Sequence, residues 1–148
     1  MNPALTQLYQ ELILSHHRAP RHCGPLDGTT HRHTLRNPLC GDEVTVSAIV
    51  EKERVLACHF EGRGCALCRA SASLLTEAVR GKELSQVKRL AEELFAFLHS
   101  SKEVEPDSQT IHRLGDMVAL SGVREHISRR RCATLPWEAM LLGLFEVT

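Results

Sequence analysis

The sequence predicts an α+β fold in which a three-stranded antiparallel sheet is packed with helices. Two observations carry this prediction. Between residues 31 and 60, short apolar segments alternate with turn residues, and from residue 66 onward apolar side chains recur at helical spacing. The chain has 148 residues, of which 43% are hydrophobic, enough for one sizeable core but not for two ordinary domains. We therefore expect residues 1–148 to form a single domain.

The first half of the chain is expected to contribute one helix and the three strands. Apolar side chains repeat at helical spacing over residues 3 to about 17, behind a proline that suits the first helical position. Weak strand character follows at 31–36, and EVTVSAIV at 43–50 alternates apolar and polar side chains. RVLACHF at 54–60 supplies the third strand. Because turn residues separate these short strands, they indicate an antiparallel meander with one buried face.

The second half of the chain is expected to be helical. The segment ALCRASASLLTEAVRG contains no proline and ends at Gly81, a residue suited to the left-handed position beyond a helix. Further apolar stripes run over 84–98 and 111–118, joined by the polar linker SSKEVEPDSQ. In the terminal helix, Pro136 is tolerated only in or before the first turn, so we expect Cys132 at or just ahead of the helix start.

Composition narrows the function classes. The 18 basic and 18 acidic residues cancel, so no bulk field favours nucleic acid or an anionic membrane as a partner. No apolar run of about 18 residues occurs, and the amphipathic N-terminal segment carrying Glu11 resembles neither a membrane span nor a secretory signal. We therefore expect a cytoplasmic protein. Thiols are kept reduced in that compartment, so the six cysteines indicate metal or sulfur chemistry rather than disulfides.

Three cysteines stand at positions that a compact fold can bring together. Cys40 lies in NPLCGD before the second strand, Cys65 at the start of a helix, and Cys132 near the start of the last helix. Helix starts carry partial positive charge and favour the thiolate over the thiol. Together with Asp42, these residues supply three sulfurs and one oxygen. That donor set suits a tetrahedral zinc ion or the corners of an iron–sulfur cluster.

The same residues also have simpler interpretations. Free cysteine often behaves as a small buried hydrophobe, the interpretation preferred for Cys58, and Asp42 is compatible with a turn aspartate that bonds its own backbone. Cys23 lies in a histidine-rich loop where its exposure is incidental, and the arginine run 129–131 is typical of a solvated surface. The GCALC motif opens a helix, as in thioredoxin-type redox proteins, but it follows antiparallel strands where those proteins have a β-α-β start.

Four segments, in this order, resemble the SufU branch of the IscU/NifU-type iron–sulfur cluster assembly proteins: LYQELILSHHRAPRHCG, NPLCGDEVTV, FEGRGCALCRASASLLTEAVRGK and RRRCATLPWEAML. The resemblance covers nearly the whole chain and implies the IscU-like (SufE/NifU-like) fold, a three-stranded antiparallel sheet with helices packed on it. In place of the histidine that precedes the last cysteine of IscU, this chain has Arg131. It also lacks the LPPVK chaperone-recognition segment and carries a long insertion from Lys82 to about Thr110, as SufU does.

The resemblance also implies a site and a reaction. It places Cys40, Asp42, Cys65 and Cys132 at the zinc, iron or cluster positions, and it makes Cys40 the catalytic residue that takes persulfide sulfur from a SufS-like cysteine desulfurase. Two functions remain open: a zinc-dependent sulfurtransferase that passes sulfur to a downstream scaffold or apo-proteins, and the scaffold on which an iron–sulfur cluster is built. The features shared with SufU favour transfer. Cys68 stands outside the family pattern, and both a spare thiol and an alternative ligand fit it.

Overall fold

A computed structural model describes residues 3–145 of the chain. The elements in order are α1 (Pro3–Arg18), β1 (His31–Arg36), β2 (Glu43–Glu51), β3 (Arg54–Arg63), α2 (Ala66–Val79), α3 (Leu84–Leu98), α4 (Ser108–Leu114) and α5 (Arg130–Phe145). Two 3-10 helices, Gly115–Arg124 and Ile127–Arg129, connect α4 to α5. The strands form one antiparallel sheet in the order β1-β2-β3, which confirms the predicted α+β class and the meander.

The core lies between the sheet and two of the helices. Helix α5 packs against β1 and β2, and helix α2 packs against β3 and α5. Trp137 of α5 and Leu75 of α2 are fully buried in this core, beside Val46 of β2 and Phe60 of β3. No helix within the described range 3–145 is long and apolar enough to cross a membrane.

The sheet topology brings the predicted site residues to one edge of the molecule. Glu43 at the start of β2 pairs with Arg63 at the end of β3, so Asp42 and the entry into α2 become neighbours. Helix α5 reaches the same edge because the Ser71 hydroxyl of α2 donates a hydrogen bond to the Ala133 carbonyl. Residues far apart in sequence therefore meet where β2, α2 and α5 begin.

The start of α5 differs from the prediction. The helix begins at Arg130, so Pro136 lies in its interior and Cys132 lies inside the first turn rather than ahead of it. A proline at this position has no N–H to donate to the carbonyl of Cys132, four residues earlier. The helix continues through Pro136 because its apolar side chains are buried against the sheet, and this packing outweighs the lost hydrogen bond.

The apolar stripe at 111–118 also folds differently from the prediction. Helix α4 ends at Leu114, and a 3-10 helix starts at Gly115, whose φ of +56° is in the left-handed region. The α-helical ladder ends there because left-handed backbone cannot continue a right-handed helix. Met117 and Val118 are buried from the 3-10 helix, whereas Ile111 on α4 remains 41% exposed.

Substituting Gly62 tests the close pairing of β2 with β3 at the edge where β2 begins. A Cβ added there would collide with the carbonyl oxygen of Glu43 and lie 2.9 Å from the Cα of Val44, and the φ of +140° is one that side chains disfavour. We expect Gly62→Ala to lower the free energy of unfolding by about 2–3 kcal/mol, measured by chemical denaturation. Gly122→Ala is the matched control, because a Cβ there meets no atom within 4 Å. Equal stabilities of the two variants would contradict the close approach of β2 and β3 at Gly62.

Candidate metal centre

Cys40 lies in the short loop that joins β1 to β2. Asn37, which is buried, organises this loop: its N–H donates to the Asp42 carbonyl at 2.8 Å, its carbonyl accepts from Gly41 at 2.9 Å, and its side-chain oxygen accepts from Leu39 at 3.1 Å. Gly41 has a φ of +77°, which a glycine adopts without strain. The loop thereby leaves Cys40 exposed and turns the side chain of Asp42 inward, where it is 3% exposed.

Asp42 connects the start of β2 to the start of α2. Its Oδ1 accepts a hydrogen bond from the Cys65 backbone N–H at 3.0 Å, and its Oδ2 accepts from the Cys65 thiol at 3.6 Å. Close packing at Gly64 makes this contact possible, since a Cβ there would lie 3.1 Å from Asp42 Oδ1. Asp42 therefore bonds the next element rather than its own turn, so its interpretation as a simple turn aspartate is wrong.

Three of the four predicted ligands lie together. One ligand atom from each of Cys40, Asp42 and Cys132 lies within 4.8 Å of the others. A tetrahedral zinc ion with Zn–S bonds of about 2.3 Å needs sulfurs about 3.8 Å apart, so a small contraction of this group would hold the ion. Cys65 lies outside this group. Its sulfur contacts Asp42 and caps α2 by accepting a hydrogen bond from the Cys68 N–H.

Arg129 is a residue of the centre that the sequence interpretation missed. Interactions with the thiols of Cys132 and Cys65 raise the pKa of the Arg129 guanidinium, which lies beside both residues. Burial raises the pKa of Cys132 to about 12, although the hydrogen bond from Arg129 opposes the shift. Arg129 is nevertheless exposed, and Arg131 lies at the surface, paired with Glu138 at 2.9 Å, so the prediction of a solvated run holds for both residues. The available signal was spacing: Arg129 precedes Cys132 by three residues, one helical turn.

Cys68 lies directly behind the centre. It is 3% exposed, and burial, followed by the neighbouring Asp42 carboxylate and the other thiols of the centre, raises the pKa of Cys68. Its buried position agrees with the structural interpretation. Its backbone N–H also donates a hydrogen bond to the Cys65 sulfur at 3.4 Å, so the two cysteines are direct neighbours.

The remaining cysteines lie away from the described group. Cys58 is buried in β3, as predicted, and burial raises the pKa of Cys58 to about 12. Cys23 is exposed and forms an isolated bridge with Phe60. Among residues 3–145, no histidine joins the group; His16 is buried, and its Nδ1 is hydrogen-bonded to the Ser73 hydroxyl at 2.7 Å.

The fold and the centre define a class of protein: an α+β domain that gathers thiols and a carboxylate, and so can bind zinc or iron, at the edge where β2, α2 and α5 begin. The chain belongs to the family described as the NifU-like N-terminal domain, whose model matches residues 8–133. The match spans the loop of Cys40, the start of α2 and Cys132. It confirms the resemblance drawn from the four sequence segments.

Two relatives illustrate the branches of the family. The chain is 33% identical over 143 residues to "Zinc-dependent sulfurtransferase SufU" of Bacillus subtilis (strain 168), covering 97% of this chain and 93% of that protein. It is 32% identical over 136 residues to "Iron-sulfur cluster assembly scaffold protein IscU" of Streptococcus pyogenes serotype M1, covering 92% and 82%. A crystal structure of the N-terminal part of a NifU-like protein from Brucella abortus shares the fold, with a TM-score of 0.80 at 23% identity over 95% of this chain and 94% of that one.

Proposed function

We propose that this protein is a zinc-dependent sulfur acceptor for a cysteine desulfurase in iron–sulfur cluster assembly. Cys40 is the acceptor, and Cys40, Asp42, Cys65 and Cys132 are the zinc ligands. One observation carries the proposal: Cys40 is exposed, whereas Asp42 and Cys132, the other members of its group, are buried. A sulfur relay needs one ligand that a partner can reach and others that stay in place. The similarity to a protein named as a zinc-dependent sulfurtransferase supports this function.

The chemistry follows from the positions of the side chains. When bound, zinc would keep the ligand sulfurs as thiolates. Cys40, at the loop tip, attacks the outer sulfur of the persulfide on the desulfurase. The sulfur–sulfur bond of that persulfide breaks, the outer sulfur stays on Cys40, and the cysteine of the desulfurase leaves as a thiolate. The Arg129 guanidinium, beside the thiols of Cys132 and Cys65, stabilises the negative charge that remains in the centre.

Two exposed apolar side chains, close in sequence to Cys40 and to Arg129, support a protein partner at this edge. Leu39, next to Cys40, is 96% exposed, and Ile127, two residues before Arg129, is 70% exposed. Apolar side chains of this size on a surface are typical of protein contacts when they flank a site. We propose a SufS-like desulfurase as the donor and an iron–sulfur scaffold or apo-protein as the recipient, with neither nucleic acid nor a membrane involved.

Two further parts of the proposal concern the whole chain. One buried cluster includes side chains from the sheet and from the helices, which supports a single domain over residues 1–148. The reduced state expected of the reacting thiols is compatible with action in the cytoplasm.

A sulfide-release assay separates sulfur transfer from scaffolding. Incubated with a cysteine desulfurase, cysteine and a reductant, the wild-type protein is expected to raise sulfide release several-fold over the desulfurase alone. An absence of stimulation would count against sulfur transfer. In that case, a stable brown chromophore after addition of iron and sulfide would establish the scaffold function, the role named for the Streptococcus pyogenes relative.

A further inference from the structure

Cys65 and Cys68 occupy one turn at the start of α2. Cys65 is the N-cap residue, and its Sγ accepts a hydrogen bond from the Cys68 N–H at 3.4 Å. Because an N–Cα bond is about 1.5 Å long, the Cys65 sulfur lies within about 4.9 Å of the Cys68 Cα. Of the predicted ligands, Cys65 is thus the one held toward Cys68, while Cys40, Asp42 and Cys132 form the close group.

The two thiols differ in their access to solvent. Cys65 is half-buried, whereas Cys68 is 3% exposed and belongs to the apolar core. An accessible thiol followed, three residues further on, by a sheltered one is the arrangement in which the first thiol reacts and the second resolves the product.

We propose that Cys65 and Cys68 form a reversible dithiol–disulfide couple, and that closing the disulfide withdraws Cys65 from the metal centre. The loss of metal rests on the proposed function, because it requires Cys65 to be a zinc ligand. Formation of the disulfide does not.

The oxidant in this proposal is a hydroperoxide. The Cys65 thiolate attacks its outer oxygen, the oxygen–oxygen bond breaks, and Cys65 becomes a sulfenic acid while the remaining alkoxide or hydroxide takes up a proton. The Cys68 sulfur then attacks the Cys65 sulfur, the sulfur–oxygen bond breaks, and the hydroxide leaves as water with the Cys68 proton. In sum, two thiols are oxidised by two electrons to one disulfide, and the hydroperoxide is reduced to water and an alcohol or a second water.

Cys132 is the competing partner, since it shares the Arg129 guanidinium with Cys65. A disulfide with Cys68 is favoured, because the loop that it closes with Cys65 contains only Ala66 and Leu67 and therefore costs little entropy. Cys132 belongs to another helix and is held there by packing against the sheet. The structure therefore favours closure within α2.

The test is disulfide mapping after treatment of the purified full chain with hydrogen peroxide, acid quenching, alkylation of free thiols and digestion with trypsin. Cleavage after Arg63 and Arg69 places Cys65 and Cys68 in one short peptide, 64–69. We expect this peptide to lose two hydrogens and to escape alkylation. Zinc released in parallel should return in full after treatment with a dithiol reductant.

Two variants keep the test specific. In Cys68→Ser, the intrapeptide disulfide cannot form, Cys65 proceeds to the irreversible sulfinic acid, and zinc rebinding after reduction is expected to be lost. Cys58→Ser is the matched control, because it removes another buried thiol, on β3, and should behave as wild type.

A wild-type product that links Cys65 to Cys132, or Cys40 to Cys132, would overturn the proposal. So would identical zinc loss and recovery in wild type and Cys68→Ser. A protein that forms the 64–69 disulfide but never binds zinc would retain the couple and instead contradict the proposed function.

Discussion

Replacing Cys40 by alanine is expected to abolish the stimulation of a cysteine desulfurase, so that sulfide release falls to the rate of the desulfurase alone. The reason is positional. Cys40 is exposed at the tip of a loop, whereas Cys132 is 2% exposed and Cys65 is half-buried. An incoming persulfide therefore meets Cys40 first, and no neighbouring thiol offers the same access.

The control for this prediction is Cys23→Ala. Cys23 is likewise an exposed, free thiol, but its backbone forms an isolated β-bridge with Phe60, and its sulfur is not part of the group of Cys40. Its replacement should leave the stimulation unchanged. Equal activity of Cys40→Ala and wild type would remove Cys40 from the acceptor role, and equal loss in both variants would show that exposed thiols in general, rather than the loop position, support the reaction.

Loss of zinc from ligand variants is the second large effect. Wild-type protein purified under anaerobic conditions should hold about one zinc ion per chain, the content of a single four-ligand site. Cys132→Ser and Cys65→Ser should each reduce that content to less than about a tenth, since removing one of four ligands costs a large part of the binding free energy. Metal analysis measures the content directly.

Stability should follow the metal. Binding stabilises only the folded chain, so chelation is expected to lower the melting temperature of the wild type and to leave that of Cys132→Ser unchanged. Cys58→Ser serves as the control that retains zinc. Full zinc content in Cys65→Ser would instead assign the centre to Cys40, Asp42 and Cys132, the three residues that lie together.

The fold was largely predictable because its signals are local. The alternation at 43–50 and the helical spacing at 84–98 each depend on side chains of one element, and both elements formed where they were predicted. The start of α5 was not predictable, because Pro136 is tolerated in the helix interior only through packing against strands β1 and β2, which lie far earlier in the chain. Long-range packing determines where α5 begins, and local helix propensity alone does not predict that position.

The site likewise has features that the sequence predicts and features that depend on the folded structure. The motifs around Cys40 and Asp42 and the resemblance to the family pointed to four ligands, and the topology brings three of them into one group. The part played by Arg129 was hidden, since an arginine run has no periodicity that separates the member facing the thiols from the member paired with Glu138. The orientation of Cys65 toward Cys68 depends on the N-cap geometry of α2, which sequence patterns do not specify.

Mass analysis of the peptide that carries Cys40 tests the central claim most directly. Trypsin cleavage after Arg36 and Lys52 yields peptide 37–52, in which Cys40 is the sole cysteine. After reaction of the zinc-loaded protein with a cysteine desulfurase and cysteine, and alkylation without reductant, this peptide is expected to gain the mass of one sulfur atom, and the gain should disappear on reduction. Added sulfur found only on the desulfurase, or on the peptides of Cys65 or Cys132, would contradict the account.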